Sequence, residues 1–136
     1  MTTARSRISK GRNFQKKIKE LIQECFDLNE DDIRTAIGAE NGPDVILINK
    51  ESRDKVGLAI ECKNSQSLSI WKALDQAKAH AKNTNLEPTL IFHRSVQGNS
   101  DVWLTCPFEH YLNLRKELLE LKNIDIRNNK IDDCGE

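Results

Sequence analysis

No apolar run in this chain approaches the roughly 18 to 20 consecutive residues a helix needs to cross a bilayer, so a membrane role is not expected. Proline and glycine are scarce, at 3 and 6 of 136 residues, and neither a low-complexity segment nor an internal repeat is present. With hydrophobic residues at 38% and charged residues at 31%, the chain reads as one soluble domain of ordinary size, α/β or α+β, large enough for a real core. The four cysteines are scattered, with no C-x-x-C and no histidine pair at zinc-ligand spacing, which argues against a structural zinc site. Cys25, Cys62 and Cys106 read as small core hydrophobes and Cys134 as a tail residue, as in a reducing, cytoplasmic compartment.

Acid is missing altogether from residues 1–19, which carry Arg5, Arg7, Lys10, Arg12, Lys16, Lys17 and Lys19. The net charge of the whole chain is zero, so a strongly basic segment faces an acidic remainder. Such an arm suits a polyanion partner; a merely solvated helix face is the plainer alternative. It also resembles a transit peptide, but the helical pattern that begins inside it argues that it belongs to the fold. Aromatics make up only 5% of the chain and do not interleave with the basic residues, so single-strand base stacking is not indicated.

From Phe14, the apolar residues Phe14, Ile18, Leu21, Ile22, Cys25 and Phe26 recur at helical spacing, with Ser9 or Asn13 as a cap and most basic residues facing outward. Residues 32–37 predict a short strand, closed by the turn-rich GAENGP. Residues 44–49 predict a second strand, 50–55 a polar hairpin loop and 56–63 a third strand. Residues 69–83 predict a helix, and 88–95 and 101–106 two further strands. Residues 107–121 predict a closing helix with Pro107 in its first turn and Tyr111, Leu112, Leu114 or Arg115, Leu118 and Leu119 inward. Trp71 and Trp103 are expected in the core, and His80 as an exposed helix histidine unless it serves the site. The order α-β-β-β-α-β-β-α is that of an α/β fold: a central mixed sheet of about five strands flanked by helices. Its expected divisions are a basic arm (1–12), one domain (13–121) and a polar, frayed tail (122–136).

Within the third strand, Glu61 and Lys63 stand two residues apart and therefore share a face. A buried charge is costly without a partner. Asp44 follows Pro43 at the mouth of the preceding strand, so a hairpin pairing of the two strands brings Asp44 and Glu61 to one end of the sheet. Two adjacent carboxylates repel unless a cation lies between them, and hard oxygen donors suit Mg²⁺, with Mn²⁺ as a substitute. The Cys62 backbone carbonyl can add another oxygen, and Lys63 can orient or deprotonate a metal-bound water. Gly57 and Ala59 leave room on the same face.

Pro43-Asp44 followed by Glu61-Cys62-Lys63, within this order of elements, resembles the PD-(D/E)XK nuclease superfamily. Within it the chain looks most like the archaeal-type Holliday junction resolvases and related phage-encoded nucleases, over roughly residues 9–115. The family's first-helix element is matched by Lys10-Gly11-Arg12-Asn13-Phe14-Gln15, its basic strand by Ile33-Arg34-Thr35, and its later helix glutamine by Gln76. The resemblance implies a restriction-endonuclease-like core and Mg²⁺-dependent hydrolysis of DNA, branched forms included. Asp44 and Glu61 would be metal ligands, Lys63 the water-orienting group, and Gln76 a supporting or DNA-facing residue. Arg5, Arg7, Lys10, Arg12, Lys16 and Arg34 would contact DNA, and a homodimer would supply two cuts. The chain departs from the resolvases at Gln15, where they carry a glutamate; an amide can accept a bond to a metal-bound water but brings no charge. Two alternatives stay open: a phage or mobile-element endonuclease on linear, flapped or replication-intermediate DNA, and a degenerate nuclease fold that binds without cutting.

Overall fold

A computed structural model describes residues 3–133, with side chains through Lys130; Cys134 and the first two residues of the basic arm lie outside the described residues. The chain forms a mixed, open five-stranded sheet with helices, arranged as two compact units that meet in sequence between Thr105 and Cys106.

The first helix, α1 (Ala4–Cys25), buries Phe14 and Ile18 and half-buries Ile22. It is capped by Thr3, whose Oγ1 accepts from the Ser6 amide at 3.2 Å, not by Ser9 or Asn13. Residues 4–12 of the basic arm are therefore its first turns. Strands β1 (Ile33–Thr35) and β2 (Val45–Leu47) pair antiparallel, and β2 pairs antiparallel with β3 (Leu58–Ser65) through Val45 opposite Ile60. β3 and β4 (Glu87–Arg94) run parallel along their full length, joined by α3 (Ile70–Ala81). Edge strand β5 (Val102–Thr105) lies antiparallel to β4. The sheet order is β1-β2-β3-β4-β5.

Residues 50–55 are not the expected hairpin loop but most of a helix, α2 (Lys50–Val56). Its local chemistry explains the difference. Asn49 Oδ1 accepts from the Ser52 amide at 2.8 Å while Ser52 Oγ accepts from the Asn49 amide at 3.3 Å, a reciprocal cap. Ion pairs Lys50–Asp54 (2.7 Å) and Lys55–Glu51 (3.3 Å) span one turn, and Gly57, at φ 71°, ends the helix in the left-handed region. The element order is thus α-β-β-α-β-α-β-β-α among the described residues.

The pleat sorts β3 onto two faces. Ile60 and Cys62 join Phe14, Ile18, Ile33, Val45, Leu47 and Ile91 in the core beneath α1. Ala59, Glu61 and Lys63 face the layer of α3, whose buried stripe is Ala73, Ala77 and Ala81; methyl-sized side chains let this helix lie close to the sheet.

Neither tryptophan is core. Trp71 is 77% exposed, about 200° around α3 from the Ala73 stripe, and Trp103 is 61% exposed on the edge strand. In the second unit, α4 (Phe108–Asp133) continues well past residue 121, with no proline or glycine inside it to stop it. Tyr111, Leu112, Leu114, Leu118 and Leu119 are exposed, not turned inward as expected. Apolar residues at 108, 111, 112, 114, 118, 119 and 121 fall within one half of the helix circumference, so the expected stripe is there; what the unit lacks, among the described residues, is a second layer of its own to cover it.

Candidate functional site

Asp44 is held by its backbone before its side chain acts. Its amide donates to the Ile60 carbonyl at 2.9 Å, and its carbonyl accepts from the Ala36 amide at 2.9 Å. Clamped between neighbouring strands, it lies across from Glu61, one residue beyond the Val45–Ile60 pair. Its Oδ2 accepts from the Cys62 amide at 2.8 Å, while Oδ1 makes no hydrogen bond among the described residues. In an extended residue the amide and carbonyl point to the same side, so the Cys62 carbonyl faces the same edge of β3 as Asp44.

Glu61 is only 4% exposed. One oxygen, Oε2, lies 2.9 Å from His80 Nδ1, and the other, Oε1, lies 3.4 Å from Lys63 Nζ. A carboxylate oxygen accepts, so His80 presents Nδ1–H to it. Burial raises the pKa of Glu61 and the nearby Asp44 charge raises it further, while Lys63 and His80 oppose both. The same surroundings, burial first and then Asp44 and Glu61, push the Cys62 thiol up. Together with its burial in the core, that makes Cys62 sulfur inert as a nucleophile or thiolate ligand and leaves its backbone carbonyl as its contribution.

The structure thus gathers Asp44, Glu61, Lys63 and the Cys62 backbone. It also adds His80, which sequence reasoning weighed but placed by default among exposed helix residues. The available signal was spacing: His80 lies four residues after Gln76, on one face of α3. Gln76 itself is half-buried and makes no hydrogen bond among the described residues. Gln15 is half-buried on α1, the helix packed on the opposite layer from Glu61 and Lys63, with no hydrogen bond to Asp44, Glu61 or Lys63. Arg34 is engaged by Glu40 through two hydrogen bonds, of 2.9 Å and 2.7 Å. Arg5, Arg7, Arg12 and Lys16 stand exposed on α1 and Lys10 is half-buried there.

The donor set tests the metal expectation. Among the described residues no group of three or more His, Cys, Asp or Glu side chains is placed to hold an ion by itself. Two carboxylates and a backbone carbonyl do fit a hard cation that keeps much of its water and completes its shell from a ligand's oxygens. They do not fit a caged zinc. Among the described residues no helix is long and apolar enough to cross a membrane. Compared with protein-family models, curated proteins and solved structures, the chain finds no match.

Proposed function

We propose that this chain is a Mg²⁺-dependent deoxyribonuclease with a restriction-endonuclease-like core of the PD-(D/E)XK type, acting on branched DNA in the manner of a Holliday junction resolvase. The observation that carries the reading is the pairing of a 4% exposed carboxylate, Glu61, with a second carboxylate at Asp44 and a lysine two residues away on the same strand face. Such repulsion is costly to maintain for structure alone, and a divalent cation removes it.

In this reading Asp44, Glu61 and the Cys62 carbonyl hold the ion, which when bound supplies Lewis-acid activation of water and neutralisation of phosphate charge. His80 fixes the Glu61 carboxylate through Oε2, leaving Oε1 toward Lys63. The Lys63 ammonium, one third exposed, orients the attacking water and stabilises negative charge growing on the phosphoryl oxygens. One site cuts one strand, so resolution of a junction calls for a second copy of the chain.

A second reading, a nuclease fold that binds DNA without cutting it, is favoured by one observation: Gln15 brings no charge and makes no bond to the site. Strand cleavage with Mg²⁺ on matched four-way junction, flap, single-stranded and linear duplex DNA separates the readings, with Asp44→Asn as control. Paired nicks confined to the junction support the resolvase. Cutting of the other forms makes this a general endonuclease, and binding without cutting by the wild-type chain overturns the enzyme reading.

A further inference from the structure

On the face of the sheet opposite Glu61 and Lys63 lie two hollows of about 380 and 540 Å³ that share Lys10 and Asn64. Asn64 and its register partner His93 belong to the floor, Arg7, Lys10 and Lys17 of α1 form one wall, and Asn99 stands on another side. Among the described residues no acidic side chain lines either hollow. The lysines are therefore not simply spread over a solvated outer face: Lys10 and Lys17 bracket Phe14, which is 6% exposed and seats α1 on the sheet.

The polar groups are pre-set. His93 Nδ1 donates to the Asp101 carbonyl at 2.8 Å, and its ring stacks at a tilt against Phe14 with centroids 6.2 Å apart. Asn99 Nδ2 donates to the Arg94 carbonyl at 2.8 Å and Asn99 Oδ1 accepts from the Asp101 amide at 3.2 Å, which ties down the turn after β4. Asn64 is the exception. Its Oδ1 is buried with no hydrogen-bond partner among the described residues, and a buried carbonyl left unpaired is costly unless a ligand or water supplies a donor.

From these observations we infer that the cleft is a binding groove for the phosphate backbone of DNA, separate from the cutting site. The assignment of DNA as the polyanion rests on the nuclease reading above. Arg7 to Lys17 spans ten residues of helix, about 15 Å, which exceeds one phosphate group and matches about four phosphates along one strand at ~3.4 Å of axis each. The lining offers cations, amides, hydroxyls and the His93 imidazole, which is already bonded to Asp101 and packed on Phe14. Among the described residues it presents no exposed Phe, Tyr or Trp, so it holds backbone independently of sequence and does not stack bases. Lys63 and Asn64 are consecutive, so the end of β3 sends the catalytic lysine to one face and the groove asparagine to the other.

The test is equilibrium binding of a labelled duplex and a labelled four-way junction, in EDTA, over a salt series. Lys10→Glu with Lys17→Glu is compared with Lys116→Glu plus Lys122→Glu, an equal charge change on α4, and with Asn64→Ala. The groove pair should lose about tenfold or more in affinity at ~0.1 M salt and flatten the log–log salt slope by about 2, while the α4 pair changes affinity less than about threefold. Asn64→Ala should weaken binding while leaving the melting temperature unchanged or higher, because it removes an unpaired buried carbonyl. Lys10→Gln with Lys17→Gln repeats the comparison if the reversed charges impair folding. Equal losses for the two pairs, or no DNA binding by the wild-type chain, would overturn the groove. Groove-dependent binding without Mg²⁺-dependent cutting would leave it standing and defeat the nuclease reading. Cutting with affinity insensitive to the groove pair would do the reverse.

Discussion

Replacing Glu61 by glutamine should make the protein more stable and unable to respond to Mg²⁺. Glutamine keeps the size of the side chain and an oxygen for the His80 Nδ1–H. The lost interactions are the 3.4 Å pairing with Lys63, which is one third exposed and so worth less than about 1 kcal/mol, and the charge assistance of the 2.9 Å His80 hydrogen bond. The relieved costs are burial of a charge at 4% exposure and repulsion by Asp44, of order several kcal/mol for an unpaired ion and less with two partners present. The balance favours the variant by about 1–2 kcal/mol, a rise of roughly 3–6 °C in melting temperature for a domain of this size.

The pH dependence has a definite sign. The folded pKa of Glu61 lies above its ordinary 4.5, so the folded state binds the extra proton. Wild-type stability therefore falls as pH rises from about 4.5 through the folded value, whereas Glu61→Gln lacks that decline and its advantage grows toward neutral pH. Calorimetric melts in EDTA from pH 4 to 8, repeated with excess Mg²⁺, read both effects. At a hundred times its dissociation constant the ion should stabilise wild type by about 2.7 kcal/mol and the variant far less. A variant that melts lower than wild type at pH 7 in EDTA, or that gains as much from Mg²⁺, would refute the account of Glu61.

Three other outcomes are expected. Gly57→Ala, at φ 71° with open space around its new methyl, should cost about 1 kcal/mol through backbone strain alone, read as a lower denaturation midpoint; an unchanged midpoint would contradict the left-handed end of α2. Glu40 is held at about 2 by the Arg34 hydrogen bonds and then by the Ile37 amide. Stability linked to it is complete above its ordinary 4.5 and lost as pH falls through about 2, so Glu40→Gln should remove that part of the acid sensitivity in denaturation curves between pH 5 and 2. Trp71 and Trp103, both exposed, should be readily quenched by acrylamide in the native state, and a strongly shielded native signal would mean that one of them is covered.

Much of the sheet is legible in the sequence because its strands announce themselves. The apolar, mostly β-branched run at 45–48, the apolar run that leads into Glu61 and Lys63 and the turn residues between 38 and 43 each point to one structure, and the Asp44–Glu61 approach follows from antiparallel pairing of β2 with β3. Missing α2 came from weighing polarity over capping: KESRDK is polar, but Asn49, Ser52 and Gly57 carry the helix start and stop. Alanine spacing at 73, 77 and 81 made α3 legible, and the Gln76–His80 spacing put both on one face, but the meeting of His80 with Glu61 depends on how the crossover helix is set on the sheet, a tertiary fact that spacing alone does not fix. The exposed tryptophans and α4 show the reverse problem, since apolarity alone does not say what is available to cover a side chain. Nor did helical spacing reveal the basic cleft, because Lys10 and Lys17 bracket the very residue, Phe14, that anchors α1.

The most direct measurement is single-turnover strand cleavage by wild type and Lys63→Ala at saturating enzyme, with Mg²⁺ and with EDTA, alongside DNA binding by both proteins. The account predicts cutting by wild type only with Mg²⁺, and a loss of about 10²–10³-fold in rate for Lys63→Ala with DNA affinity nearly intact. Metal-independent cutting, or Lys63→Ala cutting at the wild-type rate, would contradict the assignment of Asp44, Glu61 and Lys63 as the hydrolytic site.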